Sequence, residues 1–374
     1  MSHKRSIIVN SRVLIASAVH YHEGGGTVIL YDHPDFDQHE QVIFCTNNKI
    51  GLRAIIALHS TALGPAAGGC RMYPYESEVD ALADALRLSK GMTFKNAVAG
   101  LPLGGGKCVI IADPANPKKT ELLRAFARHV QSLAGRYWTA IDVGLGPDDA
   151  DILAEECDYV FARASQYEAG FNPSEFTALG GFMGIQAVSE IVLKSDTLRG
   201  VRIAVQGLGA TGYAFCKHLY TAGAEITVAD VRDDAVARVV QDFDATAVDP
   251  NDIHSVDVDV FAPCALGAGL NDETIPRIQA KAICGLANNQ LAEDRHGAAL
   301  RDAGIAYVPD YVANAGGMMG ASQVIYSEPS RAAAIKRIES LKPTIQSILQ
   351  TAFRENRPTS DVANDMALQR IDSA

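Results

Sequence analysis

The hydrophobic pattern changes along the chain from strand-like to helical, and then to a regular alternation of the two. The first 60 residues hold short apolar runs bounded by polar or glycine residues, which is typical of strands. We predict a hairpin around Gly24–Gly26, with strands in SIIVNSRVLIASAVHY and TVILYD, and further strands in EQVIFCTN and LRAIIALHS. From Glu76 to Lys90 apolar residues recur at helical spacing and predict a helix.

Strand and helix patterns then follow one another. KCVIIAD and YWTAIDVG predict strands, TELLRAFARHVQSLAG predicts an amphipathic helix that ends at Gly135, and another helix begins near Pro147. From Gly200 onward apolar runs alternate with helical segments, in VRIAVQ, EITVAD, VDVFAP, AKAICGLAN and IAYVPD. This alternation predicts a parallel sheet with right-handed crossovers.

The boundary between the two patterns lies at GFNPSEFTALGGFMGIQAVSEIV, where a loop with Gly, Asn and Pro leads into a long helix. We interpret this helix as a hinge. The pattern therefore predicts an α/β protein of two domains, residues 1–172 and 173–327, with a cleft between them. Residues 328–374 are helical, and we expect this tail to pack back on the first domain.

The composition narrows the class of protein. The net charge of −11 over 374 residues argues against nucleic-acid binding, which needs a surplus of Lys and Arg. No run of about 18 apolar residues appears, so we expect no membrane span. The basic N-terminus is followed by an apolar patch, but polar residues at 10–12 interrupt it. We expect a cytoplasmic protein without a signal peptide.

The cysteines and histidines indicate neither disulfides nor a metal. The 7 cysteines are scattered and never spaced as C-x-x-C, which is typical of buried thiols in a reducing compartment. The 10 histidines include no H-E-x-x-H motif.

VRIAVQGLGATGYAFCKHLYTAGAEITVAD has the pattern of a dinucleotide-binding βαβ unit. Its glycines follow a predicted strand and open a helix, whose positive end can hold a pyrophosphate. Asp230 ends the next strand, where a carboxylate accepts hydrogen bonds from ribose hydroxyls and repels a 2′-phosphate. We predict NAD as the cofactor, although Arg232 leaves room for NADP and a glycine turn without a cofactor is the alternative. The predicted contacts are Gly207, Leu208, Gly209, Ala210, Thr211, Gly212 and Asp230.

Three glycines precede Lys107 in LPLGGGKCVIIAD and raise the question of a phosphate-binding loop. The Walker A pattern fails on two counts. Leu101 stands where the first glycine is required, and Cys108 offers no hydroxyl for magnesium. The glycines instead let a ligand approach the lysine at the mouth of a strand.

A second lysine is close in sequence, because KGMTFK ends at Lys95 and begins at Lys90. If Lys95 and Lys107 face one pocket, their like charges lower the pKa of the less solvated amine. One lysine can then hold a carboxylate while the other acts as a base. Asp142, in YWTAIDVG, is a candidate proton carrier. The alternative is that both lysines are solvated on the surface.

Several segments together resemble the leucine, valine and phenylalanine dehydrogenases of the Glu/Leu/Phe/Val dehydrogenase superfamily, and most of all the leucine enzymes. They are LGPAAGGCRMYPY, ALRLSKGMTFKNAVAGLPLGGGKCVIIADP, VQGLGATG, FAPCALG, GLANNQL and PDYVANAGG, in order across roughly residues 40–370. The resemblance implies an N-terminal substrate-binding and oligomerisation domain, a Rossmann-type NAD-binding domain and a homo-oligomer. It also implies reversible oxidative deamination of an L-amino acid to its 2-oxo acid and ammonia.

The resemblance also implies roles for individual residues. Lys107 corresponds to the base, Lys95 to the residue that holds the substrate α-carboxylate, and Asp142 to the proton carrier. The remaining correspondences are Gly68 and Gly69 at the backbone that the substrate approaches, Thr177 and Asn288 beside the nicotinamide, and Asn289 near the substrate carboxylate.

The side-chain pocket implied by the family comprises Ala67, Met318 and Ala321. Ala67 stands where glutamate enzymes carry a lysine, so a substrate with a second carboxylate is disfavoured. We expect a branched aliphatic substrate first and an aromatic one second. A catalytically silent NAD-binding regulatory subunit is the alternative outside enzymes. The chain departs from the family pattern at Ile141, at Glu175 and in an N-terminal extension of about 25 residues, for which an oligomer contact and a packed arm are both open.

Overall fold

The computed structural model describes residues 19–20, 27–28, 30–168, 172–265 and 267–374. Its strands are β1 (Val19–His20), β2 (Thr27–Val28), β3 (Gln41–Asn47), β4 (Leu52–Ser60), β5 (Ala66–Tyr73), β6 (Gly104–Ile111), β7 (Tyr137–Ile141), β8 (Arg202–Gln206), β9 (Glu225–Ala229), β10 (Thr246–Ala247), β11 (Val260–Pro263), β12 (Ala282–Ile283) and β13 (Ala306–Tyr307). Its helices are α1 (Glu78–Val98), α2 (Lys119–Gln131), α3 (Pro147–Ala154), α4 (Ala164–Glu168), α5 (Pro173–Val188), α6 (Ala210–Thr221), α7 (Asp233–Phe243), α8 (Arg295–Asp302), α9 (Asp310–Ala313), α10 (Gly316–Ala321), α11 (Arg331–Glu339), α12 (Leu341–Glu355) and α13 (Thr359–Asp372).

The first sheet is mixed, in the order β3-β4-β6-β5-β7. β3, β4 and β6 pair antiparallel, whereas β6, β5 and β7 pair parallel. β5 was not predicted, because its glycine pair hides the strand pattern in AAGGCRMY. The glycine triplet also differs from the prediction, since it lies inside β6 rather than before it. The sheet requires glycine there, because a Cβ at Gly106 would lie 2.7 Å from the Tyr137 ring.

The second sheet is parallel throughout, in the order β10-β9-β8-β11-β12-β13. Numbered from its first strand, this is the order 3-2-1-4-5-6 of the doubly wound dinucleotide-binding fold. The predicted parallel sheet is therefore confirmed. β10 was not predicted, and β12 and β13 are only 2 residues long, shorter than the apolar runs that contain them.

α5 begins at Pro173, with the Asn172 side chain accepting a hydrogen bond from the Ser174 amide, and continues into a π-helical turn, Ser189–Leu193. Over Pro173–Leu193 it is long and apolar enough to cross a membrane, contrary to the expectation that no segment of the chain is. However, it is packed against α6, α10, α11 and α12. Its composition is that of a core helix.

The C-terminal helices connect the two sheets. α12 packs against α5, and α13 packs against α1. Arg370 donates to the carbonyls of Ala97 and Leu101, at 3.0 and 3.1 Å, where α1 ends. The helix that carries Lys95 is therefore held by the end of the chain.

At the N-terminus β1 and β2 pair antiparallel, as predicted for a hairpin. The remainder of the proposed N-terminal extension, including Gly24–Gly26, lies outside the described residues.

Candidate active site

Lys107 and Asp142 form an ion pair beside the parallel part of the first sheet. Lys107 lies in β6 and is only 6% exposed, and Asp142 follows β7. The Lys107 Nζ donates to Asp142 Oδ2 at 2.8 Å. Because the pair is largely withdrawn from water, each charge depends on the other for stabilisation. These two residues are therefore not solvated surface groups.

Arg71, in β5, makes a second charged contact with Asp142. Its Nε donates to the same Oδ2 at 2.9 Å, and its Nη1 donates to Asp84 Oδ2 at 2.7 Å. Burial opposes ionisation of Asp142, but the Lys107 ammonium and the Arg71 guanidinium outweigh it and lower the pKa to about 2. Asp142 is therefore a carboxylate in this state. Tyr75 and Arg87 also donate to Asp84 and complete the network.

Lys95 belongs to the same group of charges. α1 extends to Val98, beyond the predicted end at Lys90, and so includes Lys95, which is partly buried. Burial lowers the pKa of Lys95 to about 8, with a further lowering by the Lys107 charge and opposing contributions from Asp310 and Asp142. The predicted like-charge effect thus acts on Lys95, while the Lys107 ammonium is paired with Asp142. Lys90 lies elsewhere, in an ion pair with Asp37 at 2.9 Å.

The glycine pair in β5 lies against these groups. A Cβ on Gly69 would be 3.1 Å from the Asp142 Cβ, and one on Gly68 would collide with the Gly106 carbonyl. Tyr137 Oη donates to the Gly68 carbonyl at 2.7 Å and fixes this backbone from behind. Ala67, the third predicted residue in β5, is fully buried and pairs with Gly105 and Trp138.

The predicted nucleotide loop connects β8 to α6. Gly207 has φ +97°, a left-handed conformation that favours glycine, and its amide donates to the Ala229 carbonyl at 2.8 Å. A Cβ on Gly212 would collide with the Gly207 carbonyl, whereas a Cβ on Gly209 would meet open space. Asp230 accepts from the Leu208 and Arg232 amides, at 2.6 and 2.9 Å. The carboxylate is thereby anchored beside the loop.

These features fit a dinucleotide. Among the described residues no side chain caps the start of α6 at Ala210 and Thr211, so its amides remain available for a phosphate. A cleft of about 1060 Å³ opens beside Gly209 and Ala210 and runs between α5, α6 and α11. Near the second sheet's edge, the Oε1 of Gln290 and the Oδ1 of Asn314 are buried without a hydrogen-bond partner in the described structure. Both atoms can accept from an amide.

The other predicted residues are distributed over neighbouring elements. Asn288 accepts from the Asn314 side chain at 2.8 Å, and Asn289 is exposed with φ +52°. Thr177, in α5, lies against Gly317, where a Cβ would collide with its hydroxyl. Met318 is half-buried and Ala321 is buried, both in the adjoining α10.

One group of potential metal ligands exists in the described part of the chain, away from these residues, at Asp272, Glu293 and His296. His296 Nδ1 accepts from the Glu293 amide at 3.0 Å, so its Nε2 carries the hydrogen and faces Asp272 at 3.2 Å. Arg295 pairs with both carboxylates. Hydrogen bonds and ion pairs thus account for this arrangement.

The chain matches two parts of one known family. Residues 39–159 match the Glu/Leu/Phe/Val dehydrogenase dimerisation domain, and residues 228–374 match the Glutamate/Leucine/Phenylalanine/Valine dehydrogenase domain. It is 48% identical over 347 residues to a leucine dehydrogenase of Bacillus cereus, covering 93% of this chain and 94% of the relative. The chain belongs to the Glu/Leu/Phe/Val dehydrogenase family.

Solved structures share this fold. The crystal structure of L-tryptophan dehydrogenase from Nostoc punctiforme superimposes with a TM-score of 0.80 at 43% identity, covering 90% of this chain and 96% of that one. Glutamate dehydrogenase from Peptoniphilus asaccharolyticus superimposes with a TM-score of 0.70 at 20% identity, over 90% of each chain, and shares the fold. The predicted family and two-part α/β fold are confirmed.

The protein is thus an NAD(P)-dependent amino-acid dehydrogenase, an oxidoreductase that acts on CH–NH2 donors, of the leucine dehydrogenase branch. Its first domain is of the dimerisation type found in this family.

Sequence reasoning missed several polar residues that the structure places beside the predicted site residues. They are Arg71, Asp84, Tyr137, Asp310 and Asn314. Arg71 lies in the segment CRMY and Asp310 in PDYVANAGG. A charged residue within an apolar segment was the signal that could have identified them. Asp84 and Tyr137 look like ordinary helix and strand residues until the partner elements are in place.

Proposed function

We propose that this dehydrogenase catalyses the NAD-dependent, reversible oxidative deamination of an apolar L-amino acid, with branched aliphatic substrates preferred. The observation that carries the proposal is the buried Lys107–Asp142 pair, with the Lys95 amine in the same group of charges. Two amines and one carboxylate complement an amino acid, whose carboxylate and amino group carry opposite charges.

Lys95 is the residue that we assign to the substrate α-carboxylate. Without a ligand the pKa of Lys95 is lowered to about 8. A substrate carboxylate beside the ammonium raises this pKa and keeps Lys95 charged. A Cβ on Gly68 or Gly69 would collide with the Gly106 or Ile141 carbonyl, so glycine here lets β5 lie close to β6 and β7 and holds Lys107 and Asp142 in place for the α-carbon. Fully buried Ala67 offers no second cation, which disfavours glutamate.

Lys107 is the base in the proposed reaction, and Asp142 carries protons. In this step the Lys107 ammonium passes its proton to the Asp142 carboxylate, which lies 2.8 Å away. Neutral Lys107 then activates water for attack on the iminium carbon. Its ammonium form stabilises charge on the carbinolamine oxygen, and Asp142 relays protons as ammonia leaves.

The cofactor NAD, when bound, accepts the hydride from the α-carbon. The chain would hold it with the loop Gly207–Gly212, with Asp230 at the adenosine ribose, and with Thr177 and Asn288 beside the nicotinamide. The anchored Asp230 carboxylate disfavours a 2′-phosphate and supports NAD over NADP. Closure of the cleft would exclude bulk water from the two lysines.

The relatives support an apolar substrate, with either a branched aliphatic or an aromatic side chain. They include leucine dehydrogenases, the valine dehydrogenase of Streptomyces albus and the phenylalanine dehydrogenase of Caldalkalibacillus thermarum. The identity to leucine enzymes favours branched aliphatic side chains. Small residues at Ala67 and Ala321 leave the aromatic class as the second candidate. We also infer a cytoplasmic homo-oligomer, in keeping with the dimerisation-type domain.

A panel of L-amino acids with NAD, followed by NADH absorbance, tests the proposal, with D-enantiomers as controls. We expect the highest kcat/KM with leucine or valine, less with phenylalanine and tryptophan, and none with glutamate. NAD binding without turnover of any amino acid would instead favour the regulatory subunit. NADP in parallel reactions tests the cofactor preference.

A further inference from the structure

Asp310 begins α9 and carries a partly buried carboxylate at the edge of the second sheet. Its Oδ2 accepts from the Gln290 amide at 2.8 Å, and its Oδ1 accepts from the Tyr311 amide at 2.6 Å. One carboxylate therefore joins the start of α9 to the loop that contains Asn288 and Asn289.

The loop that Asp310 holds is conformationally demanding. Asn289 has φ +52°, a left-handed backbone that costs free energy for a residue other than glycine. The Asn289 and Gln290 carbonyls accept from the Ala268 and Leu270 amides, at 2.6 and 2.9 Å. With the Gln290 amide fixed by Asp310, the turn is restrained from both sides and presents an exposed Asn289 side chain.

Asp310 also lies close to Lys95, because α9 packs against α1, the helix that carries this lysine. In the described structure Lys95 and Asp310 form no direct ion pair, but each acts on the other's ionisation. Burial raises the pKa of Asp310, against the opposing effects of the Gln290 amide and the Lys95 ammonium. The Asp310 carboxylate in turn raises the pKa of Lys95, against the larger effect of burial.

The other charged groups near Lys95 do not replace this contribution. Lys107 lowers and Asp142 raises its pKa, and these two are already paired with each other. On the neighbouring elements, Arg370 of α13 bonds to carbonyls at the end of α1, and His59 of β4 bonds to Thr93. Asp310 is the anion on the nucleotide-binding side that acts on Lys95.

We propose that Asp310 is a positioning residue that acts between α9 and α1: it fixes the Asn288–Gln290 turn and supplies the counter-charge that keeps the Lys95 ammonium ready for the substrate carboxylate. The inference rests on the proposed function, since it assumes that Lys95 binds that carboxylate. It couples the two halves of the site before substrate arrives, because a carboxylate of the nucleotide-binding domain favours the charged form of a residue in the substrate-binding domain.

Binding of isocaproate, a leucine analogue without the amino group, to the full-length enzyme loaded with NADH tests this role. NADH fluorescence gives the Kd between pH 6 and 9.5. For the wild type we expect a constant Kd at low pH and a rise of about tenfold per pH unit once Lys95 loses its proton. In Asp310→Asn this rise should begin about one pH unit lower, because the anion that favours the ammonium is gone.

Three further variants separate the effect of the Asp310 charge from the effect of its hydrogen bonds to the backbone amides. Asp310→Ser is a second neutral variant, whose hydroxyl can still accept one amide, and it should shift the rise as Asp310→Asn does. Asp310→Glu keeps the charge but moves it, so it should weaken binding at every pH without shifting the rise. Asp302→Asn removes an exposed aspartate of the same domain, paired with Arg301, and should leave the curve unchanged.

The outcomes are distinct. An unshifted rise in both neutral variants, with Kd either unchanged or weakened equally at all pH values, overturns the counter-charge role of Asp310. Absence of isocaproate binding to the wild type at any pH, together with no amino-acid turnover, contradicts the proposed function itself and with it this inference.

Discussion

At the scale of residues, one oxygen of Asp142 is the centre of the candidate site. It accepts from both Lys107 and Arg71, so the carboxylate is held by two cations in a largely buried position. Such a group is stabilised as an anion and loses that stabilisation only in acid. The cations, in turn, are neutralised by a residue that follows a different strand. Two predictions concern these side chains.

Replacement of Lys107 by alanine should abolish turnover while nucleotide binding persists. The base would be lost, and we expect kcat to fall by at least about 10³-fold. The nucleotide loop lies in the other sheet, so the Kd for NADH should change by less than about twofold. Stopped-flow absorbance and NADH fluorescence measure the two quantities. Lys118→Ala, which removes an exposed lysine of the same domain, is the matched control. Substantial turnover in Lys107→Ala would remove the proposed mechanism.

Replacement of Arg71 by glutamine should make the protein more sensitive to acid. The pKa of Asp142 is lowered from 3.8 to about 2, so its stabilising contribution is full above pH 4 and is lost as the pH falls through 2. That difference corresponds to about 2 kcal/mol. Without Arg71 the pKa rises, and acid unfolding followed by circular dichroism should begin at higher pH. Arg53→Gln, which breaks an exposed pair with Glu78, should leave the acid midpoint in place, and equal midpoints for all three proteins would contradict the assignment.

At the scale of elements, two close approaches between backbones determine the site. β6 carries three glycines because Ser60, Thr93 and Tyr137 occupy the positions that its side chains would need. The β8–α6 connection uses Gly207 and Gly212 for a similar reason, whereas Gly209 is exposed on the side where a pyrophosphate is expected. Glycines in one motif thus have different physical roles.

Alanine substitutions at Gly212 and Gly209 should separate these roles. Gly212→Ala places a methyl group against the Gly207 carbonyl, so we expect loss of thermal stability together with loss of NADH binding. Gly209→Ala meets no atom in the protein and should leave the melting temperature unchanged while NADH affinity falls at least tenfold. Differential scanning fluorimetry and NADH titration provide the comparison. Equal destabilisation by both substitutions would show that Gly209 is a folding requirement rather than a ligand-binding one.

At the scale of the whole molecule, the last helix packs against a helix of the first domain. α13 packs on α1, and Arg370 satisfies two carbonyls where α1 ends. The helix that carries Lys95 is therefore held by a residue near the other end of the chain. α12 meanwhile packs on α5, so the tail contacts both halves of the molecule.

Loss of the Arg370 side chain should weaken this connection. Arg370→Ala leaves the Ala97 and Leu101 carbonyls without their charged donor, and we expect a loss of about 1–3 kcal/mol in the free energy of unfolding. The KM for the amino acid should rise more than that for NAD, because α1 carries Lys95. Urea denaturation and steady-state kinetics measure both effects. The exposed Arg354, which pairs with its neighbour Glu355, gives the control Arg354→Ala, and similar losses in the two variants would argue against a specific role for Arg370.

The sequence by itself determined the features that depend only on residues close to one another along the chain. Hydrophobic periodicity identified β3, β4, β8, β9 and the long helices, and the glycine spacing identified the nucleotide loop, because both patterns are local. Motif order also identified the family and indicated Lys95, Lys107 and Asp142. β5 and β10 were not predicted, because a strand with a glycine pair and a strand of 2 residues show no periodic hydrophobic pattern.

Only the tertiary structure decided which charges meet. Arg71 and Asp142 are 71 positions apart, and Arg370 reaches a carbonyl 273 positions away, so no local pattern could join them. The same holds for the influence of Asp310 on Lys95, which exists because α9 and α1 come from different halves of the chain and pack together. Electrostatic effects depend on distance and burial in space, and these are fixed only when strands and helices from separate parts of the chain are assembled.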